Sequence, residues 1–226
     1  DMKGFGEAPK PDDGRYSPVD LAEVIADLIQ SLDLRRVTLI GHSLGGGVAL
    51  LSTLMLMARG ELRIGRLAII AGAAYRQRLP PFVTLAHWPR LSTLLMRLVG
   101  PRRVVREVLR SIVYDRDAVS ADQIEAYSRP LGSPDGVRAL LDAGRQIMPD
   151  SIDDLTVRFR EIEIPVLLMW GKQDRVVPLW VGRRLESELP NARLEILEKC
   201  GHIPPEELPE LSLAIVETFL DANPVS

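Results

Sequence analysis

Val37-Thr38-Leu39-Ile40-Gly41-His42-Ser43-Leu44-Gly45-Gly46-Gly47 is the stretch on which the fold turns. Residues 37–40 form a short, apolar, β-rich run that suits a strand buried on both faces. Residues 44–59 read as a helix, and Gly60 is placed to end it. Between them lies G-x-S-x-G, a pattern that says little in an arbitrary loop. Between a buried strand and a helix it describes a sharp turn that lifts a serine into a strained, exposed position. Gly41 and Gly45 are expected where neighbouring backbone passes closely, and Gly46 and Gly47 where the helix approaches the sheet. The helix start points free N–H groups and a positive dipole end at Ser43, so the Leu44 N–H is the expected oxyanion donor. The competing reading is a tight strand-to-helix turn with a capping serine. A phosphate-binding loop fits less well, because no Lys follows the glycines and the dinucleotide spacing is wrong.

Upstream, Ser17 can cap a helix whose first position suits Pro18, and Leu21, Val24, Ile25, Leu28, Ile29 and Leu32 recur at helical spacing. Downstream, residues 67–71 read as the next buried strand. Residues 166–170 and 192–197 read as strands too, followed by helices over 179–189 and 209–220. Between residues 74 and 162 no buried-strand pattern occurs. Helical segments over 91–99, 102–113, 121–128 and 134–147 are punctuated by prolines, and Ser120 with Gln123 forms a capping box. The expected fold class is therefore α/β: a mostly parallel sheet with helices on both faces, interrupted by an all-helical insertion. The expected division is core over 1–73, helical cap over 74–162, and core again over 163–226.

A serine nucleophile needs a base. The chain has three histidines. His42 adjoins the serine on a tight turn and points elsewhere, as a structural or pocket-lining residue. His87 lies in the insertion beside Trp88 and Pro89, where packing is the plain reading. His202 follows the last strand, and loops at the carboxyl ends of parallel strands gather chemistry on one rim. The loop after residues 67–71 carries no acid, whereas Asp174 is the only acid in the loop 171–178. Asp174 reads either as the group that orients His202 or as a turn residue stabilising its own loop. The order Ser, Asp, His matches the order that G-x-S-x-G hydrolases use. Cys200 is read as buried packing.

Lys and Arg number 28 against 31 Asp and Glu, a net charge of −3 that gives no reason to expect nucleic acid or a membrane as partner. One cysteine excludes an internal disulfide and fits a reducing compartment, the cytoplasm. A small-molecule substrate is expected, with no metal and no cofactor.

Three blocks together resemble the α/β-hydrolase family: GHSLGG at 41–46, WGKQDRVVP at 170–178 and GHIP at 201–204. Residues 1–6 with Pro11 resemble that family's D-x-x-G-x-G turn. The resemblance implies Ser43 as nucleophile, Asp174 as acid, His202 as base and the insertion as a variable cap. Family members carry strands and an H-G oxyanion motif ahead of the D-x-x-G-x-G turn, and this chain has neither. Loss of one oxyanion donor costs about 2.7–4 kcal/mol of transition-state stabilisation. The expectation is an N-terminally incomplete chain, weakly active, inactive or poorly folded alone, with residues 37–40 left as an apolar edge. Serine at 43 argues against relatives that attack through a carboxylate. The expected function is hydrolysis of a small or medium apolar carboxylic ester, the cap contributing Trp88 and the elbow His42 to substrate binding. The alternatives are a carbon–carbon bond hydrolase acting on a ketone-bearing substrate and a non-catalytic ligand-binding member.

Overall fold

The computed structural model describes residues 1–224. Among them, strands β1 (Val37–His42), β2 (Ile64–Ile70), β3 (Val166–Gly171) and β4 (Ala192–Leu197) form one sheet in the order β1-β2-β3-β4. Every pairing is parallel. Parallel neighbours require crossovers, which helices supply.

Three helices cover one face: α1 (Pro18–Ser31), which precedes β1, and the crossovers α2 (Leu44–Ala58) and α9 (Leu179–Glu188). Leu21, Ala26 and Ile29 of α1, Leu50 and Leu54 of α2, and Val181 and Leu185 of α9 meet Leu67, Ile69, Val166 and Leu168 of the sheet there. The opposite face is packed by α11 (Pro209–Ala222), whose Phe219 lies against Ala68, Ile70, Leu167 and Met169. The alternation along β2 and β3 is the two-residue period of a strand covered on both sides. Each buried aliphatic side chain contributes about 1.5–3 kcal/mol.

The strand at residues 37–40 is the expected apolar edge of the sheet, and it departs from the expectation of burial on both faces. It is not buried on both faces: Ile40 is 54 % exposed, because β1 is the edge of the sheet and α11 packs over the inner strands. β2 begins at Ile64, three residues before the expected start, because Gly65 and Arg66 interrupt the apolar run without interrupting the pairing.

Between β2 and β3 run α3 (Pro81–Thr84), α4 (Pro89–Val99), α5 (Pro101–Ile112), α6 (Ala121–Ser128), α7 (Pro134–Gln146) and α8 (Ile152–Thr156), with no strand among the described residues. Both capping boxes, Ser17 with Asp20 and Ser120 with Gln123, are formed. Val105, Leu109 and Ile112 of α5 pack on Ile124 of α6, and Ile203 from the loop after β4 joins that cluster. The chain start is the expected turn: Phe5 N–H donates to the Met2 carbonyl at 2.9 Å, and Asp1 Oδ2 accepts from Glu7 N–H at 2.8 Å.

Candidate active site

Ser43 sits between β1 and α2 with φ 55° and ψ −118°, in the left-handed region that a side chain disfavours. Such a conformation costs about 1–3 kcal/mol and persists only where the surroundings impose it. Here Ser43 N–H donates to the Ile70 carbonyl at 2.9 Å, and its own carbonyl accepts from Gly46 at 3.0 Å and Ala73 at 2.9 Å. A Cβ at Gly41 would meet the Gly45 carbonyl oxygen at 2.2 Å, so only glycine lets the turn close. Gly45 differs from expectation: a Cβ there meets nothing within 4 Å, and it is its backbone that needs the room. Leu44 is the first residue of α2, where an N–H has no intrahelical acceptor, so the expected oxyanion donor lies beside Ser43.

Asp174 follows β3. Its Oδ1 accepts from the N–H groups of Val176 at 2.8 Å and Val177 at 2.9 Å, which fixes the loop, while Oδ2 faces His202 Nδ1 at 2.9 Å. The two readings of this carboxylate therefore hold together, one per oxygen. The acid loop and the histidine loop also lock to each other. Gln173 N–H donates to the Cys200 carbonyl at 3.0 Å, and Gln173 Oε1 accepts from Cys200 N–H at 3.1 Å. Gly171 makes the crossing possible, since a Cβ there would meet the Gly201 carbonyl oxygen at 2.0 Å. No sequence pattern singled out Gln173, whose part depends on a contact 27 residues away.

His202 Nε2 lies 2.9 Å from Ser43 Oγ. With the proton on Nδ1 the ring donates to Asp174 and accepts from the serine hydroxyl, the arrangement by which an imidazole withdraws a hydroxyl proton. The structure thus brings Ser43, His202 and Asp174 into one hydrogen-bonded chain, with His202 and Asp174 buried. His87 is exposed and lies outside it. Cys200 is fully buried, and burial, then the charge of Glu207, pushes its thiol up to about 12, so it is no nucleophile at neutral pH.

A cleft of about 610 Å³ of empty space, counting its open mouth, borders Ser43. Leu51, Tyr75, Val83, Met148, Ile152 and Phe159 form much of its wall, Gln77 is polar, and no charged side chain lines it among the described residues. Core and inserted helices both contribute. Neither Trp88 nor His42, the expected substrate contacts, lines this cleft. Trp88 is 60 % exposed. His42 instead donates from Nε2 to the His202 carbonyl oxygen at 2.6 Å, its ring centroid 4.9 Å from that of His202. The true wall was invisible in the sequence because its members come from distant segments that share no local pattern.

Burial, and then the neighbouring His202, holds the His42 imidazole below its ordinary value of 6.5. The lowered value means that between the folded value and about 6.5 the unfolded chain binds more protons. Stability from this group is therefore complete above about 6.5 and is lost as pH falls through the folded value, with a slope of at most about 1.4 kcal/mol per pH unit. His42→Gln is expected to flatten that slope below pH ~6.5. Urea midpoints of both proteins across that range check it, and parallel curves would refute it.

Fold and site together define the class, an α/β-fold enzyme of hydrolase type. The chain belongs to the alpha/beta hydrolase family, which it matches over residues 1–214. It is 28% identical over 221 residues to the uncharacterized hydrolase YugF of Bacillus subtilis, covering 97% of this chain and 78% of that protein. It is 27% identical over 226 residues to 2-hydroxymuconate semialdehyde hydrolase of Pseudomonas putida, covering 97% of this chain and 75% of the relative. The crystal structure of an alpha/beta hydrolase fold protein from Burkholderia ambifaria superposes with a TM-score of 0.83 at 24% identity, over 96% of this chain and 77% of that one. Among the described residues, no helix is long and apolar enough to cross a membrane.

Proposed function

We propose that this protein is a serine hydrolase that cleaves a small or medium apolar carboxylic ester through an acyl-enzyme. The observation that carries the reading is the 2.9 Å approach of His202 Nε2 to Ser43 Oγ, with Asp174 on the far side of the ring. His202 takes the hydroxyl proton, Ser43 Oγ attacks the carbonyl carbon, and Asp174 holds the imidazole in the useful tautomer. The Leu44 N–H meets the developing oxyanion. His202 then returns its proton to the departing alcohol, and water releases the acid by the same route in reverse. Substrate preference follows from the cleft, which among the described residues offers apolar wall and no cation to an anionic group.

Cleavage of a carbon–carbon bond is the second reading, and the relative named 2-hydroxymuconate semialdehyde hydrolase supports it. The uncharged wall speaks for the ester, because a muconate carries carboxylate and burying an unpaired charge is costly.

One experiment separates the two readings. A fluorophosphonate is expected to label the protein once, at Ser43. The p-nitrophenyl ester of butyrate is expected to exceed that of succinate in kcat/KM by about 100-fold or more, because an unpaired charge is costlier to bury than a neutral polar group. Faster turnover of a vinylogous diketone carboxylate than of either ester would overturn the ester assignment. Absence of label at Ser43 would overturn the nucleophile.

A further inference from the structure

His202 is held by its backbone as firmly as by its ring. Its N–H donates to the carbonyl of Ile112, the last residue of α5, at 2.9 Å. The N–H groups on either side of it converge on one carboxylate. Gly201 N lies 3.0 Å from Glu207 Oε1 and 2.9 Å from Oε2, and Ile203 N lies 3.1 Å from Oε1. Tyr114 N, just beyond α5, reaches Glu207 Oε2 at 2.7 Å. Three backbone donors from two distant segments thus share one side chain. The approach is close enough that a Cβ on Gly201 would meet the Ile112 oxygen at 2.3 Å. Glu207 ends α10 (Pro204–Glu207), the short turn that follows directly on the histidine loop.

A buried N–H left without an acceptor costs about 1–3 kcal/mol, and bonds to a charged acceptor are the stronger kind. The mutual repulsion of three converging N–H dipoles makes an ionised carboxylate the fitting side chain. An amide offers one oxygen and turns an NH₂ toward groups that are themselves donors.

We propose that Glu207 is the positioning residue for His202. Its carboxylate fixes the loop 201–203 and ties it to the end of α5, so the place of the imidazole depends on where the inserted helices sit. The proposal rests on His202 acting as the base for Ser43. The neighbouring Glu206 provides the contrast: its carboxylate accepts from Gln123 Nε2 at 2.8 Å and from the Tyr127 hydroxyl, both on α6, and only its backbone N–H, which a substitution keeps, reaches the histidine loop, at the Ile203 carbonyl.

Amide hydrogen exchange and fluorophosphonate labelling of the protein, Glu207→Gln and Glu206→Gln test it together. In Glu207→Gln, exchange over 199–204 is expected to rise about tenfold or more, with 166–171 unchanged. Labelling rate and kcat are expected to fall about 10- to 100-fold while KM stays within about twofold, the signature of a displaced base. Glu206→Gln is expected to match the parent in both. Unchanged exchange over 199–204 in Glu207→Gln overturns the proposal. Raised exchange there, with no label on the parent protein, supports the hold on the loop and fails the nucleophile assignment instead. If Glu207→Gln loosens the whole chain, Glu207→Asp decides, since it keeps the charge. Labelling restored to within about tenfold of the parent supports the proposal, and labelling as slow as in the Gln variant overturns it.

Discussion

Ser43→Ala is expected to lower kcat by about 10⁴- to 10⁶-fold without unfolding the protein. The loss is large because nothing else in the site can replace the hydroxyl. Cys200 is buried and His42 is committed to a backbone carbonyl. The fold survives because the serine side chain bonds only the His202 ring, while the strained turn is held by backbone bonds to Ile70, Gly46 and Ala73. Alanine tolerates φ 55° about as poorly as serine does, so the change adds no new strain. Initial rates on the best ester, with urea midpoints of both proteins, check the two halves of the statement. A residual rate within about 100-fold of the parent would place the chemistry elsewhere.

Asp174→Asn is expected to cost about 10⁴-fold in kcat. The amide oxygen can still accept from Val176 and Val177, so the loop keeps its shape. The amide NH₂ then faces His202 Nδ1, which has to become an acceptor. The ring proton moves to Nε2, the atom that must accept from Ser43, and the base is switched off by tautomer rather than by displacement. Nitrogen-15 shifts of the His202 ring report the tautomer directly. A fall in kcat of less than about tenfold, or a ring still protonated at Nδ1, would refute this account.

Much of the architecture could be read from periodicity and punctuation. Strand β4 and helix α6 fall at the expected residues, and the capping box at Ser120 forms as its spacing predicts. Short elements escaped, because α3, α8 and α10 are too brief to show a helical period. The rim where Ser43, Asp174 and His202 meet was legible because each follows a strand of one parallel sheet, and topology brings such loops to one end. Orientation was not legible. Whether His42 turned to the cleft or to a carbonyl depends on a loop 160 residues away, and whether Trp88 faced inward depends on how the inserted helices pack. Glu207 carried no signal in the sequence, since its value comes from donors at 114, 201 and 203.

The crossing of the acid and histidine loops over Gly171 has a consequence for how such an enzyme can change. At that crossing main chain lies directly against main chain, and the Gln173 side chain ties the two loops together. Variation in α3 or α8 can therefore reshape what the cleft admits and leave the reaction itself untouched. The end of α5 is bound more tightly, since the Ile112 carbonyl accepts from the His202 N–H and Tyr114 N–H donates to Glu207, which holds the same loop. Attempts to diversify the substrate range are best confined to the first two, with the residues around 112–114 left as they are.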